Sequence, residues 1–122
     1  MASVDNFKIV VKGSGTHGAM PWYGIDPIVV ASSIVVNLQS IVSRNVELTE
    51  GAAVVTVGSI HGGNRNNIIS DEVEMLGTIR THNDATRELV HQRIREVVEN
   101  TSASFGAGAQ VELDILYPVT IN

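Results

Sequence analysis

At 122 residues the chain is the size of one domain and can bury roughly two thirds of the surface that its unfolded form exposes. Hydrophobic residues make up 43% and charged residues 17%, a balance that excludes a disordered segment. Eight Lys and Arg against thirteen Asp and Glu leave a net charge of -5 with no basic run, which excludes the electrostatic footprint of a nucleic-acid binder. The absence of Cys removes disulfide scaffolds and Cys-ligated zinc and accords with a cytoplasmic protein. No apolar run approaches the roughly eighteen residues of a membrane span, and the N-terminus has neither the basic nor the apolar region of a signal peptide.

The first element is a strand over residues 6–12, where Phe7, Ile9 and Val11 share one face and Lys8 and Lys12 the other. Asp26 before Pro27 is a helix-start pair, a capping carboxylate and a proline tolerated in the first turn, and predicts a helix over 26–44. Its Ile28, Val29, Val30, Ile34, Val35, Val36, Leu38, Ile41 and Val42 cover more than one stripe, so a second surface beyond the domain's own sheet is expected to cover it. Residues 52–60 and 72–81 read as strands, the latter with Val73, Met75 and Ile79 inward. A second, ordinary amphipathic helix spans 84–105, with Val90, Ile94, Val97, Val98, Thr101 and Phe105 at helical spacing and Gly106 as its left-handed stop. The last strand is 109–117, alternating Val111, Leu113, Ile115 and Tyr117 with Gln110, Glu112 and Asp114 before Pro118. With right-handed crossovers this order predicts an α+β, ferredoxin-like βαββαβ domain: a four-stranded antiparallel sheet with two helices on one face. That architecture serves many functions, so the loops must decide.

The loop after the first strand reads Gly13-Ser14-Gly15-Thr16-His17-Gly18-Ala19-Met20-Pro21 and holds one imidazole among small residues. His17 is either a displayed donor or a turn residue bonded to its own loop. A phosphate loop is excluded, since no Lys-Ser or Lys-Thr pair follows and the helix starts too far downstream. The second loop, Gly62-Gly63-Asn64-Arg65-Asn66-Asn67-Ile68-Ile69-Ser70-Asp71, is richer in amides than a short connection needs, either as turn formers or as ligand contacts. Arg80 has the parity opposite to Val73, Met75 and Ile79, so it points away from the helices. There it can take a ligand carboxylate or pair with Glu72, Glu74, Glu112 or Asp114 on the same face. His61, His82 and His91 have no metal-ligand spacing.

The first loop with Gly24-Ile25-Asp26-Pro27-Ile28, then Gly62-Gly63, Asn67-Ile68-Ile69 with Asp71, Gly77-Thr78-Ile79-Arg80, and Tyr117-Pro118 with Asn122 together resemble one family along the whole chain. It is the lid and dimerisation domain of the zinc amidohydrolases and peptidases that include aminoacylase, hippurate hydrolase, indoleacetyl-amino-acid hydrolase and carboxypeptidase G. The resemblance implies that residues 1–122 form a single domain cut from a larger enzyme, without the catalytic domain that would hold two zinc ions and a Glu general base. It implies hydrolysis of N-acyl amino acids or small peptides by the parent protein, inactivity of this segment alone, and a homodimer. By the same carry-over His17 stabilises the oxyanion in the partner subunit's site, Asn67 contacts substrate and Arg80 holds its carboxylate. Two positions depart from the family pattern: Ser70 stands where Pro is usual, and Arg65 where a small residue is common. The dimer is expected to form through helix 26–44 and strand 52–60, the edge strands pairing antiparallel about a two-fold axis. The rival reading is a free-standing ferredoxin-like regulatory module that dimerises and binds an amino acid without chemistry.

Overall fold

The computed structural model describes residues 3–117. Pro118 and Asn122, read above as the return to a catalytic domain, lie outside the described residues, as do the side chains of Ile115 and Tyr117. In chain order the elements are β1 (Ser3–Lys12), β2 (Thr16–His17), a 3-10 turn (Pro21–Tyr23), α1 (Pro27–Ser40) running into a π turn (Ile41–Asn45), β3 (Ala53–Gly62), β4 (Ile68–Ile69), β5 (Glu72–Thr81), α2 (Asp84–Ser104) and β6 (Gly108–Tyr117). The main sheet has the order β3-β5-β1-β6 with every neighbour antiparallel, the ferredoxin-like arrangement.

Alternation builds the core as the sequence implies. Phe7, Ile9 and Val11 of β1, Ala53 and Val55 of β3, and Val73, Met75 and Ile79 of β5 meet Val30, Ile34, Leu38 and Ile41 of the first helical segment and Val90, Ile94 and Val98 of α2. Asp26 caps α1 by accepting the Ile28 N–H at 3.0 Å, and Gly106 ends α2 at φ +74°. Two expectations change. The expected helix 26–44 is α1 to Ser40 and then a π turn, which widens the last turn where Ile41 is still buried. Phe105, read with the inward stripe of the second helix, is 42% exposed because the chain has already turned off the helix axis there.

Pro27–Asn45 is, by length and composition, long and apolar enough to cross a bilayer, which the sequence reading did not anticipate. Here it lies on the sheet as a core helix, with Val30, Ala31, Ile34, Leu38 and Ile41 buried and Ile28, Val29 and Val36 exposed. Strand β3 carries a bulge between Val57 and Ser59, so Gly58 has no partner and the strand's facing inverts beyond it.

The core also contains charge. Asp5 shares the parity of Phe7, Ile9 and Val11 and is fully buried; Arg87 of α2 grips its carboxylate through Nε and Nη2, and His91 Nε2 lies 2.7 Å from the same group. Burial alone would raise the Asp5 pKa, but the hydrogen bonds and charges of Arg87 and His91 outweigh it and hold the carboxyl below its ordinary 3.8. Asp5 holds Arg87 above its ordinary value in turn, and Asp84 at the same mouth reinforces this.

Removing one member of such a pair leaves a buried charge unmatched, so Asp5→Ala should cost about 3–5 kcal/mol in urea denaturation at pH 7. Because the folded pKa lies below the unfolded one, the carboxylate's contribution is complete above the ordinary carboxylate range and is lost as pH falls through the folded value. Asp84 and Glu88 line the same hollow as Arg87 and His91 and are present in both proteins compared below. The wild-type stability minus that of Asp5→Asn should therefore shrink as pH falls from 6 towards about 3. A difference that does not change with pH would show that Asp5 is not ionised in the fold.

Candidate functional site

The two glycine-rich segments, read separately as loops, are joined. Thr16 pairs with Ile69 and His17 with Ile68, making β2 and β4 a two-stranded sheet beyond the end of the main one. Gly18 N–H donates to the Asn67 carbonyl at 2.7 Å, so two of the three residues singled out from the sequence, His17 and Asn67, stand side by side.

Asp71 fastens this assembly, a role the sequence reading did not give it. Its carbonyl accepts the Gly13 N–H and its carboxylate oxygen accepts the Gly15 N–H, both at 2.8 Å. The fit requires glycine: a Cβ on Gly15 would lie 2.7 Å from the Ile69 carbonyl oxygen and 2.8 Å from the Asp71 carboxylate. The far side of the loop is closed by Ser14 and Ile25, which exchange two N–H···O bonds of 2.9 Å. Ser70, at the position of the usual Pro, bends its hydroxyl to the Glu72 carbonyl at 3.5 Å, and the Arg65 side chain is exposed at the turn.

His17 is exposed, and its Nδ1 accepts the Ala19 N–H at 3.1 Å. This is the contact expected of a turn histidine, yet it also fixes the chemistry of the ring. In the neutral imidazole a nitrogen that accepts has no proton, so the proton is assigned to Nε2, which becomes the outward donor. A neutral N–H donor held by its own loop can meet a developing negative charge without gaining or losing a proton.

Arg80 stands elsewhere. It is exposed on the open face of the sheet, as parity predicts, with Val4 and Val54 as its cross-strand neighbours. The loops leave the end of the sheet where Lys12 meets Glu72; Arg80 lies eight residues along β5, about 26 Å away at strand spacing. Glu72 and Glu74 are therefore out of its reach, and Glu74 pairs instead with Lys8 at 3.5 Å. Among the described residues Arg80 has no ion pair, and no group of three or more His, Asp or Glu converges to hold a metal ion.

Residues 3–105 match the peptidase dimerisation domain of the M20 family. The chain belongs to that family. It is 46% identical over 112 residues to an N-acetyl-L-cysteine deacetylase of Bacillus subtilis, covering 92% of this chain and 27% of the relative. A dinuclear metal-binding peptidase of the M20 family from Bacillus subtilis superposes with a TM-score of 0.74 at 35% identity, over 97% of this chain and 27% of that one. A structure assigned as an aminohydrolase of methicillin-resistant Staphylococcus aureus superposes with a TM-score of 0.92 at 33% identity, over 97% and 31%. The chain thus spans under a third of the length of these relatives.

The Asp71 fastening can be tested without any activity. Gly15→Ala should free the loop while leaving the main core intact, since none of its contacts is with the core cluster. Amide exchange at Gly13, Gly15 and Gly18 should accelerate by at least about tenfold, the equivalent of one hydrogen bond, while Ile9 and Met75 amides keep their protection. Equal acceleration everywhere would mean that the loop and core unfold as one.

Proposed function

We propose that this domain dimerises and lids a metal-dependent amidohydrolase that cleaves the acyl–nitrogen bond of N-acyl amino acids or small peptides, with its site shared between two subunits. The metals, zinc in this reading, are bound by the remaining chain. His17 donates through Nε2 to the carbonyl oxygen as it turns anionic, Asn67 contacts the bound substrate, and Arg80 holds its carboxylate in a two-toothed grip.

The observation that carries this reading is the separation of its parts. His17 and Asn67 are at one end of the sheet and Arg80 is at the other, beside the start of β1 and the end of β6. Any further chain leaves from those two strand ends, so a catalytic domain attached there stands near its own Arg80 and far from its own His17. Antiparallel pairing of two β3 edges reverses the partner. It brings the partner's Asn67 and His17 to the end that carries Arg80, about three strand spacings or ~14 Å away for Asn67 and about four or ~19 Å for His17 across the joint sheet. Strand β3 suits the role, since Ala53–Gly62 is an open edge without a single Lys, Arg, Asp or Glu. Family membership, and relatives more than three times as long, support an enzyme part over a free-standing regulatory module.

The full-length protein should sediment as a dimer at micromolar concentration, and in it His17→Ala should lower turnover about a hundredfold to a thousandfold with metal content unchanged. Unfolding and refolding this variant together with one that lacks a metal ligand but keeps His17 should restore activity. In the mixed dimer the metal-competent subunit receives His17 from its partner. Failure to recover after verified subunit exchange would end the trans assignment.

A further inference from the structure

Trp22 is 72% exposed and Tyr23 73%, both in the 3-10 turn that follows His17, with Met20 just before that turn at 40%. Rings of this size each carry roughly 150–250 Å² that favours burial, so such a pair left open side by side marks a contact surface. The rings form one unit, with centroids 6.0 Å apart and planes tilted by 54°. They are also coupled to His17 through the backbone: Met20 N–H donates to the His17 carbonyl at 2.9 Å, Tyr23 N–H to Met20 at 3.1 Å and Gly24 N–H to Pro21 at 3.1 Å. With the Ser14–Ile25 bridge closing the loop behind them, the rings and the imidazole are held on one hydrogen-bonded loop.

The occupant of this surface is narrowed by place and by size. The strand ends from which the remaining chain departs lie at the other end of the sheet, a ten-residue strand or about 33 Å away, beyond the reach of contacts made close to those ends. An acylated amino acid is too small to cover two rings, on the order of 300 Å² or more, while also touching His17. The relatives' length leaves more than two thirds of the polypeptide to supply a larger surface.

We propose that Trp22 and Tyr23 dock on the catalytic domain of the partner subunit and so set the depth at which His17 enters its site. This rests on the reading that His17 serves the partner. The two aromatics are positioning residues: their binding energy holds the donor in place, and a donor held about 1 Å out of position forfeits up to about a hundredfold in rate.

The test uses the full-length dimer. Trp22 is the single tryptophan of these 122 residues, so the wild-type emission minus that of Trp22→Phe isolates its indole. That difference spectrum should be blue-shifted and quenched by acrylamide at least about threefold more slowly than free N-acetyltryptophanamide, as for a covered ring. Trp22→Ala should lower kcat about tenfold to a hundredfold with KM, metal content and dimer unchanged, and Trp22→Phe should retain most of the rate. An indole quenched at the free rate, with or without a substrate analogue, overturns the docking. So does a Trp22→Ala variant whose KM alone rises, which would assign the ring to substrate. His17→Ala measured alongside keeps the two readings apart: full turnover in that variant sinks the oxyanion role whatever Trp22 shows. A crippled His17→Ala beside an active Trp22→Ala sinks only the docking.

Discussion

Strands β1 and β5 pair over ten consecutive residues, from Ser3 opposite Thr81 to Lys12 opposite Glu72, with no change of register. The ladders on either side both slip, at Val57/Ser59 in β3 and at Val4/Asp5 beside β6. The central ladder is thus the rigid axis of the domain, and it has two distinct ends. At one, the chain leaving Lys12 and the chain entering Glu72 are forced into contact, and Asp71, just before β5, is delivered to the amides of Gly13 and Gly15 just after β1. At the other, Arg80 stands opposite Val4 at the start of β1. A slip of one residue in this ladder would turn every core side chain of one strand outward and would also part Asp71 from its amides.

The same axis explains why the domain tolerates a buried carboxylate. Asp5 lies near the Arg80 end, where α2 begins, and a hydrophobic residue of similar volume would cost less to bury. The Arg87 and His91 contacts are directional where apolar packing is not, and they tie the first turns of α2 to the middle strand just after β5 has presented Arg80. Asn83 adds a second tie, capping α2 through the Thr86 N–H and donating to the Glu50 carbonyl in the approach to β3. The Arg80 end is therefore held by a buried ion pair within the domain, whereas the His17 end is held by exposed contacts: loop backbone, the Asp71 carboxylate and the His17 and Ser70 side chains.

The fold was legible because its signals are periodic. Alternation in β1 and β5 and the Asp26-Pro27 and Gly106 punctuation locate the elements to within a few residues. What was not legible depends on distance. Nothing in 13–21 or 62–71 announces that the two segments pair, because a two-residue ladder has no period of its own. Asp5 has the parity of the core face and Arg87 and His91 are one helical turn apart, so the charge cluster left a trace in the sequence. It was missed because a strand begun at residue 6 leaves Asp5 outside it. At the candidate site, sequence placed His17 on an open loop and Arg80 on the open face, but not their separation, which follows only from the register of β1 with β5.

The two edges of the sheet differ in a way that bears on how the separated parts can meet. Strand β6 presents Glu112 and Asp114, and charge along an edge discourages another strand from adding there. Strand β3 offers Val54, Thr56 and Ile60 and no formal charge, beside a helix whose Ile28 remains exposed after the core is filled, while the exposed Val29 and Val36 line a hollow with Thr101 and Phe105. Strand edge and helix flank are contiguous, since Ile28 Cδ1 approaches to within 3.6 Å of a Cβ built on Gly63 just beyond β3. Apolar surface continuous across a helix and an open ladder can be satisfied in one step by a second copy related by a two-fold axis, because each copy then supplies both elements to the other. Pairing through β6 would instead bring carboxylates together and leave the α1 flank in water. The unequal edges thus favour the β3 pairing proposed above over one through β6, and under that proposal the polarity of one ladder sets which ends of the two copies face each other.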